Sequence, residues 1–144
     1  MQRMKIKIKK LHDDAIIPVY ASAGAACFDL YALEDGQGDN ATNVYRTGLA
    51  FEIPQGHVML VYSRSGHGFK NDIRLANCVG VIDSDYRGEL MIKLTADGYS
   101  APIFGAGERI AQAMVMPVKQ VSFTAVSELS DTERGDGGFG STGK

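Results

Sequence analysis

Tryptophan is absent from the 144 residues, and histidine, proline and cysteine are scarce, at three, four and two copies. Each shortage excludes something. Two cysteines, Cys27 and Cys78, cannot build the disulfide framework of a small secreted domain. They form no C-x-x-C pair, and their neighbours read as strands, so reduced, buried thiols are expected. His12, His57 and His67 lie far apart with no i, i+4 pair, and a zinc site is not expected. Neither sign of charge dominates: 15 Lys and Arg face 17 Asp and Glu, for a net charge of −2. Without a basic field, bulk binding to DNA or RNA is not expected, and any polyanion must be held by a few placed cations. Long apolar runs are missing too. Met1 to Lys10 is charged and lacks the apolar stretch of a signal peptide, and nothing approaches a membrane span. A cytoplasmic location follows as the default, or the host cytoplasm for a viral chain.

What remains is an ordinary globular composition, 44% apolar and 22% charged, at a length that fits one domain. A chain of this size can bury roughly 68–70% of its unfolded surface, enough for one core.

Met4 to Leu11 alternates Met4, Ile6 and Ile8 with lysines, which predicts a strand with one wet face. Ala21 to Gly24 reads as loop and Cys27 to Tyr31 as a short strand. Asp35 to Asn43, rich in Gly, Asp and Asn, reads as loop. Val44 to Ile53 and His57 to Tyr62 read as strands about the Pro54-Gln55-Gly56 turn. Ser63 to Lys70 has two glycines and no periodicity, and reads as surface loop. Ile73 to Val81 and Glu89 to Thr95 read as strands flanking a polar turn at Asp83 to Gly88, and Val121 to Val126 alternates again. Glu108 to Val118 favours helix by local propensity; its strand-rich surroundings decide for strand. Short strands at this spacing predict an all-β sandwich, barrel or jelly roll. Residues 1–126 are expected to form the β domain. Ser127 to Lys144 loses apolar residues, gains five glycines, and is expected to be a flexible arm.

Chemistry concentrates in a few places. Gly138 to Lys144 (GFGSTGK) matches most of a phosphate-loop pattern, but no helix follows it, and that reading is rejected. Its glycines can still aim backbone N–H groups at anionic oxygens, Arg134 can neutralise a phosphate, and Phe139 offers a flat face to a base. Ser63-Arg64-Ser65-Gly66 suits phosphate contact, though such loops are common. Asp83, at a strand end, could orient or deprotonate a water or could simply form a turn. Asp29 falls on the polar phase of its strand, where a lone carboxylate ordinarily faces solvent.

In this order the segments resemble five motifs of the trimeric dUTPase family: Ala23 to Ala32 (AGAACFDLYA), Arg64-Ser65-Gly66, Gly80 to Glu89 (GVIDSDYRGE), Gly107 to Gln112 (GERIAQ) and Arg134 to Gly143 (RGDGGFGSTG). The third is the most specific, Arg-Ser-Gly the least. Three departures stand out. Ser63 replaces a usual proline, His67-Gly68 replaces a usual Leu-Ala, and Ala26-Cys27-Phe28 are extra before Asp29.

The resemblance implies a jelly-roll homotrimer whose C-terminal arm closes each active site, with the sites shared between subunits. It implies hydrolysis of dUTP to dUMP and pyrophosphate, which limits uracil incorporation into DNA and supplies dUMP for dTMP synthesis. Asp83 would be the general base and Arg134 a catalytic cation on the γ-phosphate. Arg64, Ser65, Gly66 and Gln112 would bind phosphate oxygens, with Gly140, Ser141 and Thr142 of the arm. Asn77 and the hairpin backbone at Gly80 and Ile82 would read the uracil edge. Tyr86 would lie against the deoxyribose and Phe139 over the base. Mg2+ would ride mainly on the triphosphate, with Asp29 holding it through water. The alternatives are a dCTP deaminase of the same fold and a dUTP-gated regulatory interaction protein.

Overall fold

Ten short strands and one helix form in the computed structural model, which describes residues 4–39, 41–98 and 102–143. The outermost residues of the two expected segments, 1–3 and 144, and Asn40 in the expected loop, fall outside that range.

β2 (Phe28–Tyr31), β10 (Arg109–Pro117), β6 (His57–Tyr62) and β8 (Gly80–Ile82) make one four-stranded antiparallel sheet in the order β2-β10-β6-β8. β3 (Gln37–Gly38), β4 (Thr42–Arg46), β9 (Met91–Ala96) and β7 (Ile73–Leu75) make a second. β1 (Lys7–Lys10) pairs with β5 (Leu49–Glu52). Leu30, Met59, Val61, Ala111 and Ala113 of the first sheet share one core with Tyr45, Ile73, Leu75, Ile92 and Leu94 of the second. Burial of such apolar faces is the main favourable term holding the sheets together.

The period-two pattern of β9, exposed and buried in turn, is that of a strand with one face on the core. β10 breaks the alternation: Ile110 and Ala111 are both buried because the pairing with β2 slips between Arg109 and Ala111. A bulge of this kind re-aims the side chains that follow it, and here the next is Gln112.

Some sequence expectations need correcting. Ser63 to Lys70 is not loop throughout: Ser65–Asn71 forms helix α1, closed by Asp72 in the left-handed region (φ 53°). The helix buries no residue, so no apolar stripe existed in the sequence to reveal it. Val44 to Ile53 is two strands, bent at Gly48 (φ +68°), where a Cβ would lie 2.9 Å from that of Ala15. Buried Thr47 holds the bend by donating its hydroxyl to the Leu90 carbonyl (2.6 Å) and accepting from the Leu49 amide. Ile73 to Val81 is likewise two strands in different sheets, split by a turn. The turn exposes Cys78 at φ 65°, so this thiol is neither buried nor in a strand. The Asp35 to Asn43 stretch is partly sheet, with β3 pairing onto β4. Val121 to Val126 forms no strand. No described strand pairs with it, and Val121, Phe123 and Val126 stand 69%, 93% and 61% exposed.

Candidate active site

Register brings the first polar group together. Gln112 on β10 lies directly opposite Asp29 on β2 and, on its other side, opposite Tyr62 at the end of β6. Residues opposite one another in a ladder share a face. The chain leaving β6 then passes through Ser63 to Arg64. Arg64 Nε donates to Asp29 Oδ1 at 3.2 Å, and Arg109 Nη1 donates to Asp29 Oδ2 at 3.4 Å. Gln112 Nε2 donates to the Ser63 carbonyl at 2.9 Å. Asp29 is therefore not solvent-facing: its side chain is 14% exposed, between two guanidinium groups.

Ser63, which stands where proline is usual in the resembling family, has a job. Its hydroxyl accepts the Leu75 amide at 2.9 Å, tying the loop to β7. His67, the other departure, stacks on Phe104 with ring centroids 4.3 Å apart and planes 19° apart, and its Nε2 meets Arg64 Nη1 at 3.3 Å. Burial pushes the His67 pKa below its ordinary value, with the Arg64 charge adding to the effect. Ser65 and Gly66 open α1 and are exposed.

A second polar group lies on the turn after β8; it is not the expected hairpin, because β8 and β9 belong to different sheets and do not pair. Val81, Ile82, Asp83, Tyr86, Glu89, Leu90 and Met91 line a cavity of about 270 Å3, close to the small end of ligand pockets, ~300 Å3. The turn is closed by the Tyr86 amide donating to the Asp83 carbonyl (3.2 Å) and by Tyr86 Oη donating to the Glu89 carbonyl (2.9 Å). Glu89 is the anchor: it accepts from Arg46 Nε at 3.1 and 3.2 Å and from the Gly48 amide at 2.9 Å. Gly80 packs so close to Val61 that a Cβ would lie 3.1 Å from the valine's, while Asn77 sits exposed in the turn before it. Asp83 is exposed, and among the described residues it enters no salt bridge.

The tail is a third group, and among the described residues it touches neither of the others through a hydrogen bond. Arg134 Nε donates to the Gly137 carbonyl at 2.8 Å, and the amides of Gly137, Ser141 and Gly143 close successive tight turns. Phe139 (φ 50°) is fully exposed, between Gly138 and Gly140, and Ser141 and Thr142 are exposed as well.

Arg109 and His67 were missed as site residues in the sequence. Arg109 lies inside GERIAQ, but only the bulge after it shows that it reaches Asp29. His67 was visible only as a mismatch.

A family model described as dUTPase matches residues 13–143. The deoxyuridine 5'-triphosphate nucleotidohydrolase of Nautilia profundicola is 49% identical over 144 residues, spanning 98% of this chain and 100% of that one. Its counterpart in Helicobacter hepaticus is 46% identical, spanning 99% of this chain and 91% of that protein. Among solved structures, a variant dUTPase of Staphylococcus bacteriophage 80alpha with dUpNHpp superposes with a TM-score of 0.86 at 27% identity, over 97% of this chain and 99% of that chain. The family match over residues 13–143 and the full-length identities of 49% and 46% show that the chain belongs to the dUTPase family.

Proposed function

We propose that this chain hydrolyses dUTP to dUMP and pyrophosphate, limiting uracil in DNA and supplying dUMP, as a cytoplasmic homotrimer with shared active sites and no nucleic-acid or membrane partner. The observation that carries the shared-site reading is a separation. The β6–β8 ladder ends with Ile82 opposite Met59, which sets Asp83 at the level of Val58, whereas Gln112 and Asp29 sit at the level of Tyr62. Four strand positions are about 13 Å, and β6 lies between Asp83 and Gln112, with β6 and β10 between Asp83 and Asp29. That separation supports a base brought to the Arg64 side, beside Asp29 and Gln112, by another copy rather than by the same chain. Exposed apolar residues just before and within the arm, Phe123 at 93% and Leu129 at 88%, support burial of this C-terminal segment on a neighbour.

In this reading Arg64, Ser65, Gly66 and Gln112 bind the phosphate oxygens, Arg64 already oriented by Asp29. Asp83 of the neighbouring copy accepts the proton of a water as its oxygen attacks the α-phosphorus. The bond from that phosphorus to the bridging oxygen breaks, and pyrophosphate leaves. The tail of the remaining subunit brings Arg134 to the γ-phosphate, the amides of Gly140, Ser141 and Thr142 to its oxygens, and Phe139 over the base, excluding water. The flexible arm is residues 127–144 and the β domain residues 1–126.

Among the described residues no group of three or more His, Cys, Asp or Glu gathers as a metal cage. The phosphate-side donor set, one carboxylate beside an amide, fits a cation carried by the triphosphate and touched by a single protein carboxylate. Asp29 would hold that Mg2+ through water, and the ion would neutralise phosphate charge and fix the geometry of attack. Uracil is read by Asn77 and the backbone at Gly80 and Ile82. Cytosine, with a donor where uracil has an acceptor, would leave these groups unpaired. Tyr86, fixed by its bond to the Glu89 carbonyl, excludes a 2′-hydroxyl.

Pyrophosphate release against dUTP, dCTP, dTTP and UTP, with magnesium and with chelator, tests the proposal. Rapid, magnesium-dependent release from dUTP alone is expected. Ammonia released from dCTP would favour the deaminase instead, and dUTP-dependent capture of a partner without turnover the gated interaction protein.

A further inference from the structure

We propose that His67 is a positioning residue for the phosphate-side cation: its neutral imidazole accepts a hydrogen bond from Arg64 and so fixes the guanidinium in the direction that meets the triphosphate. The inference rests on the proposed role of Arg64 in phosphate binding and goes beyond it by assigning a function to a residue outside the matched motif.

Four observations carry it. First, Arg64 is gripped from two sides, by Asp29 at Nε and by His67 at Nη1. Arg64 has no acceptor capacity, so Nε2 of His67 must accept, which places the ring proton on Nδ1. Second, the ring cannot swing away, because it is stacked on Phe104. Phe104 is itself buried, and its amide donates to the buried Tyr45 hydroxyl at 3.1 Å. A core contact is thus relayed to a surface cation. Third, Nδ1, which carries the proton in this tautomer, is enclosed and meets no acceptor among the described residues, a cost that leaves the contact with Arg64 as the ring's one engaged hydrogen bond. Fourth, the neutral ring is the favoured form here, since burial and the Arg64 charge both oppose protonation. The charged groups facing the ring are Arg64 from the α1 side and Glu108 and Arg109 from the start of β10, and of these only Glu108 favours a proton. A leucine at this position would keep the packing against Phe104 and lose the acceptor.

Protonation would reverse the arrangement. Nε2 would become a donor, the bond to Arg64 would be lost, and two cations would sit 3.3 Å apart. The triphosphate site should therefore loosen in acid. A His67 that instead met the phosphates as a cation would tighten it.

The experiment uses the full chain and steady-state kinetics with dUTP and saturating magnesium. His67→Leu is expected to raise KM about fivefold to tenfold with kcat within about twofold, the scale of one lost ordinary hydrogen bond. His67→Gln, whose amide oxygen can stand near the position of Nε2, is expected to restore KM to within about twofold. The ratio of parent KM to His67→Gln KM is expected to climb as pH falls below about 6.5, the ordinary histidine value, since only the parent has a ring at position 67 and that ring titrates below it. Arg64→Ala is the reference. If it leaves KM unchanged, the phosphate role of Arg64 fails. If it raises KM while His67→Leu does not, the positioning role fails alone. Equal loss in His67→Leu and His67→Gln, or a parent ratio that falls in acid, also overturns the proposal. Thermal melting of each variant identifies any that fold poorly, and for those the pH ratio of parent to His67→Gln decides.

Discussion

At the Asp29 end of the first sheet, charged groups are held by the sheet itself. Asp29 and Gln112 are cross-strand neighbours, Arg64 and Arg109 converge on one carboxylate, and Ser63 ties the loop to β7. In the tail, polar residues hold only one another. Arg134 bonds to Gly137, each turn closes on itself, and Phe139 meets nothing. The turn at Asp83 lies between these extremes, with its backbone anchored through Glu89 and its carboxylate left open. The difference separates binding from completion. In the proposed reading, a site half prearranged would hold phosphate at little ordering cost, while the exposed half would supply closure and catalytic groups only when another copy and the nucleotide are present.

The contrast can be broken at either side. The largest effect is expected at the open carboxylate. Asp83→Asn should lower kcat by about 10³- to 10⁴-fold, the upper part of the range for a general base, with nucleotide binding still measurable by calorimetry. Normal turnover would remove Asp83 from the chemistry. Truncation after Val126 should come next, costing on the order of 10²–10³ in kcat/KM while sedimentation still shows a trimer. Full activity in the truncated chain would reduce the tail to decoration. On the prearranged side, Asp29→Asn should raise KM about tenfold with a smaller change in kcat, because two guanidinium groups lose their charged acceptor. A fall in kcat alone would instead point to a role in the chemical step. The smallest effect is expected at Ser63→Ala. It leaves the Leu75 amide without its partner and should cost about 1 kcal/mol of stability, read by denaturant unfolding, with little change in turnover.

How much of this was legible in the sequence follows from which signals are local. Alternation announced β1, Lys7–Lys10, within Met4 to Leu11, and the strand choice for Glu108 to Val118 holds as β10, Arg109–Pro117, against its local helix propensity. That outcome is a tertiary override: β10 is flanked by β2 and β6, which supply both rows of ladder partners. α1 was illegible because it has no apolar face, and the expected strand at Val121 to Val126 failed because alternation implies a strand only where a partner exists. At the site, motif residues could be named but their partners could not. Nothing in the string predicts that Asp29 sits between Arg64 and Arg109, since a one-residue bulge in β10 decides it.

Mixing two inactive chains tests the shared-site claim most directly. Asp83→Asn supplies an intact tail, and the chain truncated after Val126 supplies an intact base. Co-refolded at equal amounts, they should recover roughly a quarter of parental activity, because each site then needs one subunit of each kind at two positions filled at random. If every mixing ratio stays as inactive as the two separate variants, while mixed trimers are demonstrably formed, the site lies within one chain and the account is contradicted.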